Sequence, residues 1–455
     1  MSKNKQTADL GTGSIPKLMV KMAVPAVVAQ VVNLLYNIVD RIYIGQGVGA
    51  LALTGVGLCM PLMMFMNAFA MLAGSGGAPR AAIAMGRGDR NEADKIMSNS
   101  FSLLLLFSVG ITVLYLLAAE PLLLMFGASA DTLPYAMDYM NIISWGSVFT
   151  LLVMGLNPFL TAQGLSTVAM MTTVIGAVTN IVLDPIFIFG LGMGVRGAAL
   201  ATVMSQAVGA LWVTYTLSRS KKSVLKITPA GMKLDPKVFG PSLALGVSGF
   251  VMVATESLLS ISFNSSLQRY GGDLAVGSMT ILTSCIQLAQ MPASGIAQGC
   301  APITSFNFGA GNHDRVKKCF YLQLAVAAGY TVLFWIAAMV MPQVFVQIFN
   351  KDAALVEHTG WAMRIYMAGV FSLGFQLTCQ QSFVALGQAK VSLFMACLRK
   401  LILLIPLIFI LPMFFENKVF AVFLAEPISD IIAALATTGT FFFRFDKILK
   451  EGTLR

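Results

Sequence analysis

Charge is scarce in this sequence. Asp, Glu, Lys and Arg make up 11% of its 455 residues, while 57% are hydrophobic. A soluble domain carries roughly one-quarter charged residues, so an integral membrane protein is implied. Histidine is reduced to His313 and His358, both near the ends of apolar runs. The six cysteines, Cys59, Cys285, Cys300, Cys319, Cys379 and Cys397, contain no close CxxC pair and mostly sit in apolar runs, which argues against a disulfide framework or a metal site. No GxxxxGK(S/T) stretch occurs, so the chain has no P-loop and must draw energy from a gradient or a partner. Nor is there a nucleophile motif or metal-binding cluster to support a membrane-embedded hydrolase, the enzyme class that paired aspartates could otherwise serve. The sequence therefore reads as that of a protein with no cofactor, not as an enzyme.

What the chain has in quantity is apolar length. Stretches of about 20 residues, enough to cross a bilayer, recur at 18–44, 51–79, 98–119, 134–155, 167–190, 195–218, 239–267, 274–303, 319–342, 360–384, 392–414 and 418–443. The first follows a polar tail and lacks a small-residue cleavage site, so it reads as a retained span rather than a signal peptide. Twelve is even, so both termini lie on one side. Assigned to the nearest loop, six of the 30 Lys and Arg (Arg41, Arg196, Arg269, Lys351, Arg364 and Lys418) fall on the far side and the other 24 on the side of the termini. The positive-inside rule then makes both termini cytoplasmic in a multi-pass cell-membrane protein. Basic residues gathered in alternate loops also explain the net charge of +10 without nucleic acid.

A basic, polar segment from Ser218-Arg-Ser-Lys-Lys-Ser to Asp235-Pro-Lys237 separates two six-span halves. The expected division is a tail (1–17), a first lobe (18–218), a linker (219–238), a second lobe (239–443) and a tail (444–455). At an offset of 223 residues, Gly76 matches Gly299, Ala78 matches Ala301, Pro79 matches Pro302, Gly86 matches Gly309 and Gly88 matches Gly311; the register still holds at Phe126 and Phe349, Ala162 and Ala385, and Gly164 and Gly387. Each repeat has six spans, so both have the same orientation and are related by a pseudo-two-fold axis along the membrane normal with a central cleft. The expected fold is all-α: twelve transmembrane helices in two six-helix lobes. Gly74, Gly76, Gly77, Gly295 and Gly299 are expected to let helices pack closely. Pro25, Pro61, Pro185, Pro241, Pro292, Pro406 and Pro427 are expected to kink their helices.

The rest is organised around Asn180-Ile-Val-Leu-Asp184-Pro185. Four residues apart, Asn180 and Asp184 share one helix face, and a carboxylate at that depth costs at least ~2.5 kcal/mol unless it faces a partner, cavity or ion pathway. Asp40 lies five residues before Gly45, Asp184 six before Gly190 and Thr202 five after Gly197. At about 1.5 Å per residue, all three fall about 7–9 Å below the outer end of the lobe. Two carboxylates together in a dry lobe tend to share a proton or a cation, and carboxylate, amide and hydroxyl oxygens are the hard ligands a small cation prefers. The alternative is an interhelical hydrogen-bond cluster with an Asp40–Arg41 or Asp40–Arg196 ion pair.

Four patterns together carry a resemblance: Tyr36-Asn37-Ile-Val-Asp40 followed by Gly45; Gly86-Arg-Gly-Asp89-x-x-Glu92-Ala93; Asn180-x-x-x-Asp184-Pro185; and Gly197-Ala198-Ala199-x-Ala201-Thr202. Over nearly its whole length the chain resembles the MATE (multidrug and toxic compound extrusion) family. The resemblance implies a DinF-like first-lobe site for the coupling cation, H⁺ or Na⁺, at Asp40, Asn180, Asp184, Ala198 and Thr202. Glu256 resembles the span-7 acid of the NorM-like branch, although the acids that branch carries in spans 8 and 10 have no clear match. Gln287, Gln290, Gln376, Gln380 and Gln381 are the polar residues there instead. Substrates are then small amphipathic, often cationic drugs, for which 28 Met and 31 Phe supply adaptable and cation–π surface. Candidate contacts are Glu256, Asn33, Tyr36, Tyr139, Asn157 and Gln163, and the unit is expected to be a monomer in the bilayer. Glu426 and Asp430 could also line the cleft.

The closest rival is a lipid-linked oligosaccharide flippase of the same superfamily. It would need a cationic central cavity, whereas the charges inside these spans read as mainly acidic. A major-facilitator carrier would show Asp-Arg-x-Gly-Arg after its second span; here that loop is Met85-Gly-Arg-Gly-Asp-Arg-Asn-Glu92.

Overall fold

An apolar segment in lipid must satisfy every backbone polar group internally, which in a single segment only a helix does. The computed structural model describes residues 5–349 and 353–452, and among them no strand occurs. Lys351, counted above among the far-side basic residues, lies outside the described residues, as do the ends of both tails.

The first lobe contains Ile15–Gly47, then Ala50–Leu58 and Met60–Gly86 as one span broken before Pro61, then Arg90–Met125, Leu133–Ala162, Ser166–Pro185 and Val195–Ser218. In the second lobe, spans 7 and 8 run together over Pro236–Gly309 and part only at Gly272, whose backbone leaves the helix at φ 62°. His313–Val340 is span 9. Span 10 is Ala353–Tyr366 and Leu373–Ala385 around a 3₁₀ segment, and span 11 is Ala389–Cys397 and Ile405–Ile410 around a π-helical turn. Span 12 is Lys418–Gly452. Several helices outrun the apolar stretches that announce them. Span 3 begins at Arg90 rather than 98 and span 12 continues past 443, because helical hydrogen bonding carries on into water after the hydrocarbon ends.

The repeat is visible in the backbone. Gly88 and Gly311 hold φ of 82° and 71°, and Gly164 and Gly387 hold 82° and 72°. All four sit at helix-ending turns in a left-handed conformation that glycine adopts without a Cβ penalty.

Each lobe has its own apolar core, one centred on residues such as Leu104, Leu151 and Phe159, the other on Leu282, Met363 and Phe423. Within the first lobe, a Cβ on Gly74 would stand 2.6 Å from the Gly155 carbonyl oxygen, so this glycine lets two backbones touch. Between lobes, Gly76 meets the backbone of Ser242 and Gly246, Gly86 that of Phe306, Gly309 that of Ile83, and Gly299 that of Ala23. Arg80 adds hydrogen bonds to the Val238 carbonyl (2.6 Å) and Ser242 Oγ (2.8 Å). These contacts lie in the halves of the spans nearest the linker and draw the lobes together there.

The linker itself is tied to the first lobe. Asp94 Oδ1 accepts from Lys226 N (2.7 Å), Ser98 Oγ from Thr228 N (3.0 Å) and Asn99 Oδ1 from Asp235 N (2.9 Å).

Candidate functional site

Spans 1, 5 and 6 bring the first-lobe residues into one buried layer. Pro185 ends the regular helix carrying Asn180 and Asp184, and a π-helical turn, Ile186–Gly190, follows at once; such turns are frequent at functional sites. Asp40 is 8% exposed, while Asn180, Asp184 and Ala198 are fully enclosed. The Asp40 and Asp184 carboxyl groups are neighbours in this layer, each within the electrostatic reach of the other, and two acids so placed tend to share a proton or hold a cation.

Asn180 Nδ2 donates to Asp184 Oδ1 (3.3 Å) and faces Thr202 Oγ1 (3.5 Å). Asp40 Oδ1, Asp184 Oδ2 and Asn180 Oδ1 are buried with no protein partner. An unpaired buried acceptor costs about 1–3 kcal/mol, so three in one layer amount to a site short of positive charge. Among the described residues, no group of three or more His, Cys, Asp or Glu could hold a metal ion; the oxygens completing this layer come from an amide and a hydroxyl. Tyr36 lies beside both acids, and Tyr139 beside Asp40 and Thr202. Arg196 is paired with Asp138 instead of Asp40 (2.8 Å), and Arg41 reaches toward Met60 Sδ (3.9 Å). The acid pair is therefore left without a closed salt bridge.

A cavity of 430 Å³ lies on the linker side of this layer, bordered by spans 1, 2, 4, 5 and 6 of the first lobe and spans 7, 8 and 10 of the second. Asn33, Tyr36 and Asn157 line it, together with Gln206, Met154 and Met252. Asn157 anchors to the Ala169 carbonyl through Nδ2 (3.1 Å) and keeps Oδ1 free. Tyr36 thus borders both the cavity and the acid layer.

Gln163, expected among the substrate contacts, is turned elsewhere. Its Oε1 accepts from Ser223 Oγ, Val224 N and Leu225 N at 2.7–2.9 Å, so its acceptor clamps the linker.

The second lobe adds two buried bases to the acids expected inside the spans. Arg399 and Lys400, which nearest-loop assignment placed on the side of the termini, are buried within span 11. Arg399 Nε donates to Asp430 Oδ1 (2.7 Å) and Nη2 to Glu426 Oε1 (3.2 Å); Lys400 pairs with Glu256 and donates to the Met252 carbonyl (2.7 Å). Both basic residues stand some ten positions inside a run that begins near Ala389, and counting depth from that end could have found them. Of the glutamines, Gln380 and Gln381 both line the cavity, and Gln380 donates its amide to the Ser392 carbonyl (2.8 Å).

A MatE family model matches the chain over residues 25–186 and 250–410, once in each repeat. The multidrug export protein MepA of Staphylococcus haemolyticus (strain JCSC1435) is 25% identical over 433 residues, covering 95% of each chain. That of Staphylococcus aureus (strain N315) is 24% identical over 424 residues, covering 92% of each. Among solved structures, MATE in complex with MaD3S superposes with a TM-score of 0.90 at 25% identity over 98% of this chain and 99% of the other. The outward-facing conformation of a multidrug resistance MATE family transporter of the MOP superfamily matches with the same TM-score, identity and coverage. With both repeats matched and well over half its length covered, the chain belongs to the MatE family.

Proposed function

We propose that this protein is a secondary active multidrug efflux antiporter that exports amphipathic, often cationic organic compounds in exchange for H⁺ or Na⁺. It is a transporter, not an enzyme. The observation that carries the coupling mechanism is the buried Asp40–Asp184 pair, with three unpaired oxygens around it, sharing Tyr36 with the cavity. A positive particle entering from outside fills the gap between the two acids, moves span 1 and Tyr36 with it, and drives the drug from the cavity outward. The cation then leaves to the cytoplasm. A membrane potential supplies ~2.3 kcal/mol per charge per 100 mV, enough for roughly a fiftyfold gradient.

In this reading the lobes are 18–218 and 239–443, the protein sits as a monomer in the cell membrane with both termini cytoplasmic, and no nucleic acid is involved. Close inter-lobe contact on the linker side supports an outward-facing state. Asp40, Asn180, Asp184, Ala198 and Thr202 form the coupling site, while Asn33, Tyr36, Tyr139, Asn157 and Glu256 serve the substrate. The flippase alternative asks for a cationic cavity, but Arg399 and Lys400 are each paired with acids.

Asp184→Asn keeps shape and removes charge. In vesicles it should abolish ethidium efflux driven by either an imposed H⁺ or an imposed Na⁺ gradient, and transport persisting at the unmodified rate would refute the coupling role.

A further inference from the structure

Spans 7, 11 and 12 of the second lobe correspond to spans 1, 5 and 6 of the first. At the repeat offset, Glu256 falls on Asn33, Arg399 on Gly176 and Lys400 on Ala177, and all three first-lobe residues line the cavity. What is open space in one lobe is filled by ion pairs in the other. The network counts three carboxylates, Glu256, Glu426 and Asp430, against two bases, Arg399 and Lys400, and so lacks one positive charge. The deficit is visible at Asp430, which is 1% exposed and whose Oδ2 has no partner in the protein. Tyr366 packs beside the same acids.

The two ends of the network differ. Arg399, Glu426 and Asp430 are sealed in the lobe, whereas the Glu256 side chain is 52% exposed and that of Lys400 only 6%. Glu256 stands one turn from Met252, on the same helix face, and Met252 lines the cavity. Its exposed carboxylate therefore stands one turn beyond the cavity lining, with Lys400 behind it.

We infer that Lys400 is a tethered resident cation at the Glu256 site, which a monovalent organic cation, such as a phosphonium or quaternary ammonium, must displace in order to bind. Arrival of that cation brings the network to three positive and three negative charges. The displaced ammonium keeps the Met252 carbonyl and is held by Glu426, its other acidic neighbour. Lys400 thereby sets how strongly the second lobe grips a cation, and favours substrates with enough apolar surface to offset the pair they break. This rests on the efflux reading but is tested without any gradient.

The experiment is equilibrium binding of radiolabelled tetraphenylphosphonium to the purified full-length protein in detergent. Lys400→Met removes the competitor and should tighten binding about tenfold or more. Glu256→Gln should weaken it at least tenfold, and the double variant should bind like Glu256→Gln alone. Lys400→Arg keeps the charge, and the fold with it, but grips a carboxylate with a planar fork; it should weaken binding severalfold. This variant carries the test if Lys400→Met does not fold. Binding by Lys400→Met no tighter than by the unmodified protein, with its thermal stability preserved, overturns the inference, as does binding by Lys400→Arg that is unchanged or tighter. Absence of tetraphenylphosphonium binding to the unmodified protein overturns it too, while gradient-driven ethidium efflux would still stand as a separate test of antiport.

Discussion

Thr202 offers the acid layer a single hydroxyl, set 3.5 Å from Asn180 Nδ2 and beside Tyr139. A hydrogen-bonding ligand of that kind contributes about 1 kcal/mol, or roughly fivefold in affinity. Thr202→Val should therefore raise the coupling-ion concentration for half-maximal efflux about fivefold while leaving the maximal rate near that of the unmodified protein; an unchanged ion dependence would remove Thr202 from the site. Arg399 behaves differently, because two buried acids depend on it. Breaking a buried pair from one side costs about 3–5 kcal/mol, so Arg399→Met should lower the melting temperature in detergent sharply, and adding Glu426→Gln with Asp430→Asn should restore much of it. A triple variant as unstable as the single one would mean that packing, not charge, is what Arg399 supplies. The first-lobe residues were legible because three helices carry polar groups at one countable depth. Arg399 and Lys400 are not, since a basic residue in an apolar run is indistinguishable by charge alone from one at the neighbouring loop, and only its depth in the run marks it as buried. Gln163 was legible as a polar residue near a span end and was expected to touch substrate, but its partners lie some 60 residues away in the linker, and nothing in the local sequence announces them.

Helix pairs show which glycines hold a lobe together and which let the lobes meet. Gly74 touches Gly155 within the first lobe, whereas Gly76 touches Ser242 and Gly246 across the interface. Overpacking a tight core costs typically 1–3 kcal/mol. Gly74→Ala should thus lower thermal stability by that order, while Gly76→Ala should push the linker-side halves of the lobes apart and spare the lobe cores. Spin labels on the linker-side ends of spans 2 and 8 should report a longer mean distance in Gly76→Ala and no change in Gly74→Ala; the reverse pattern would mean the two contacts have been assigned to the wrong interfaces. Apolar length and the offset between repeats made twelve spans readable from the sequence, including the break near Gly272 that helical hydrogen bonding all but conceals. The π-helical turns at Ile186–Gly190 and Leu398–Leu404 were not readable. Prolines at 185 and 406 predict a disturbance of the helix, but whether the disturbed turn widens or merely bends depends on the neighbouring helices.

Across the whole molecule, alternation requires that what is sealed on the linker side be able to open. Cys300 sits in that seal, fully buried among Leu10, Ile15, Leu18, Met19 and Met22 of the first 22 residues and Ile303 and Cys319 of the second lobe. The neighbouring Gly299 lies against Ala23, and Arg315 ties the second lobe to the Leu10 and Gly13 carbonyls at 3.0 and 2.7 Å. Rocking one lobe against the other must part span 1 from span 8 and uncover this thiol. In a variant retaining Cys300 alone, reconstituted in vesicles, N-ethylmaleimide should label slowly at rest and about tenfold faster during turnover with drug and ion gradient both present. With Asp184→Asn added, labelling should stay slow under the same conditions, because the acid pair no longer passes the gradient to span 1. Equal labelling at rest and in turnover would mean that this seal stays shut, and transport would then need a route that leaves spans 1 and 8 in contact throughout.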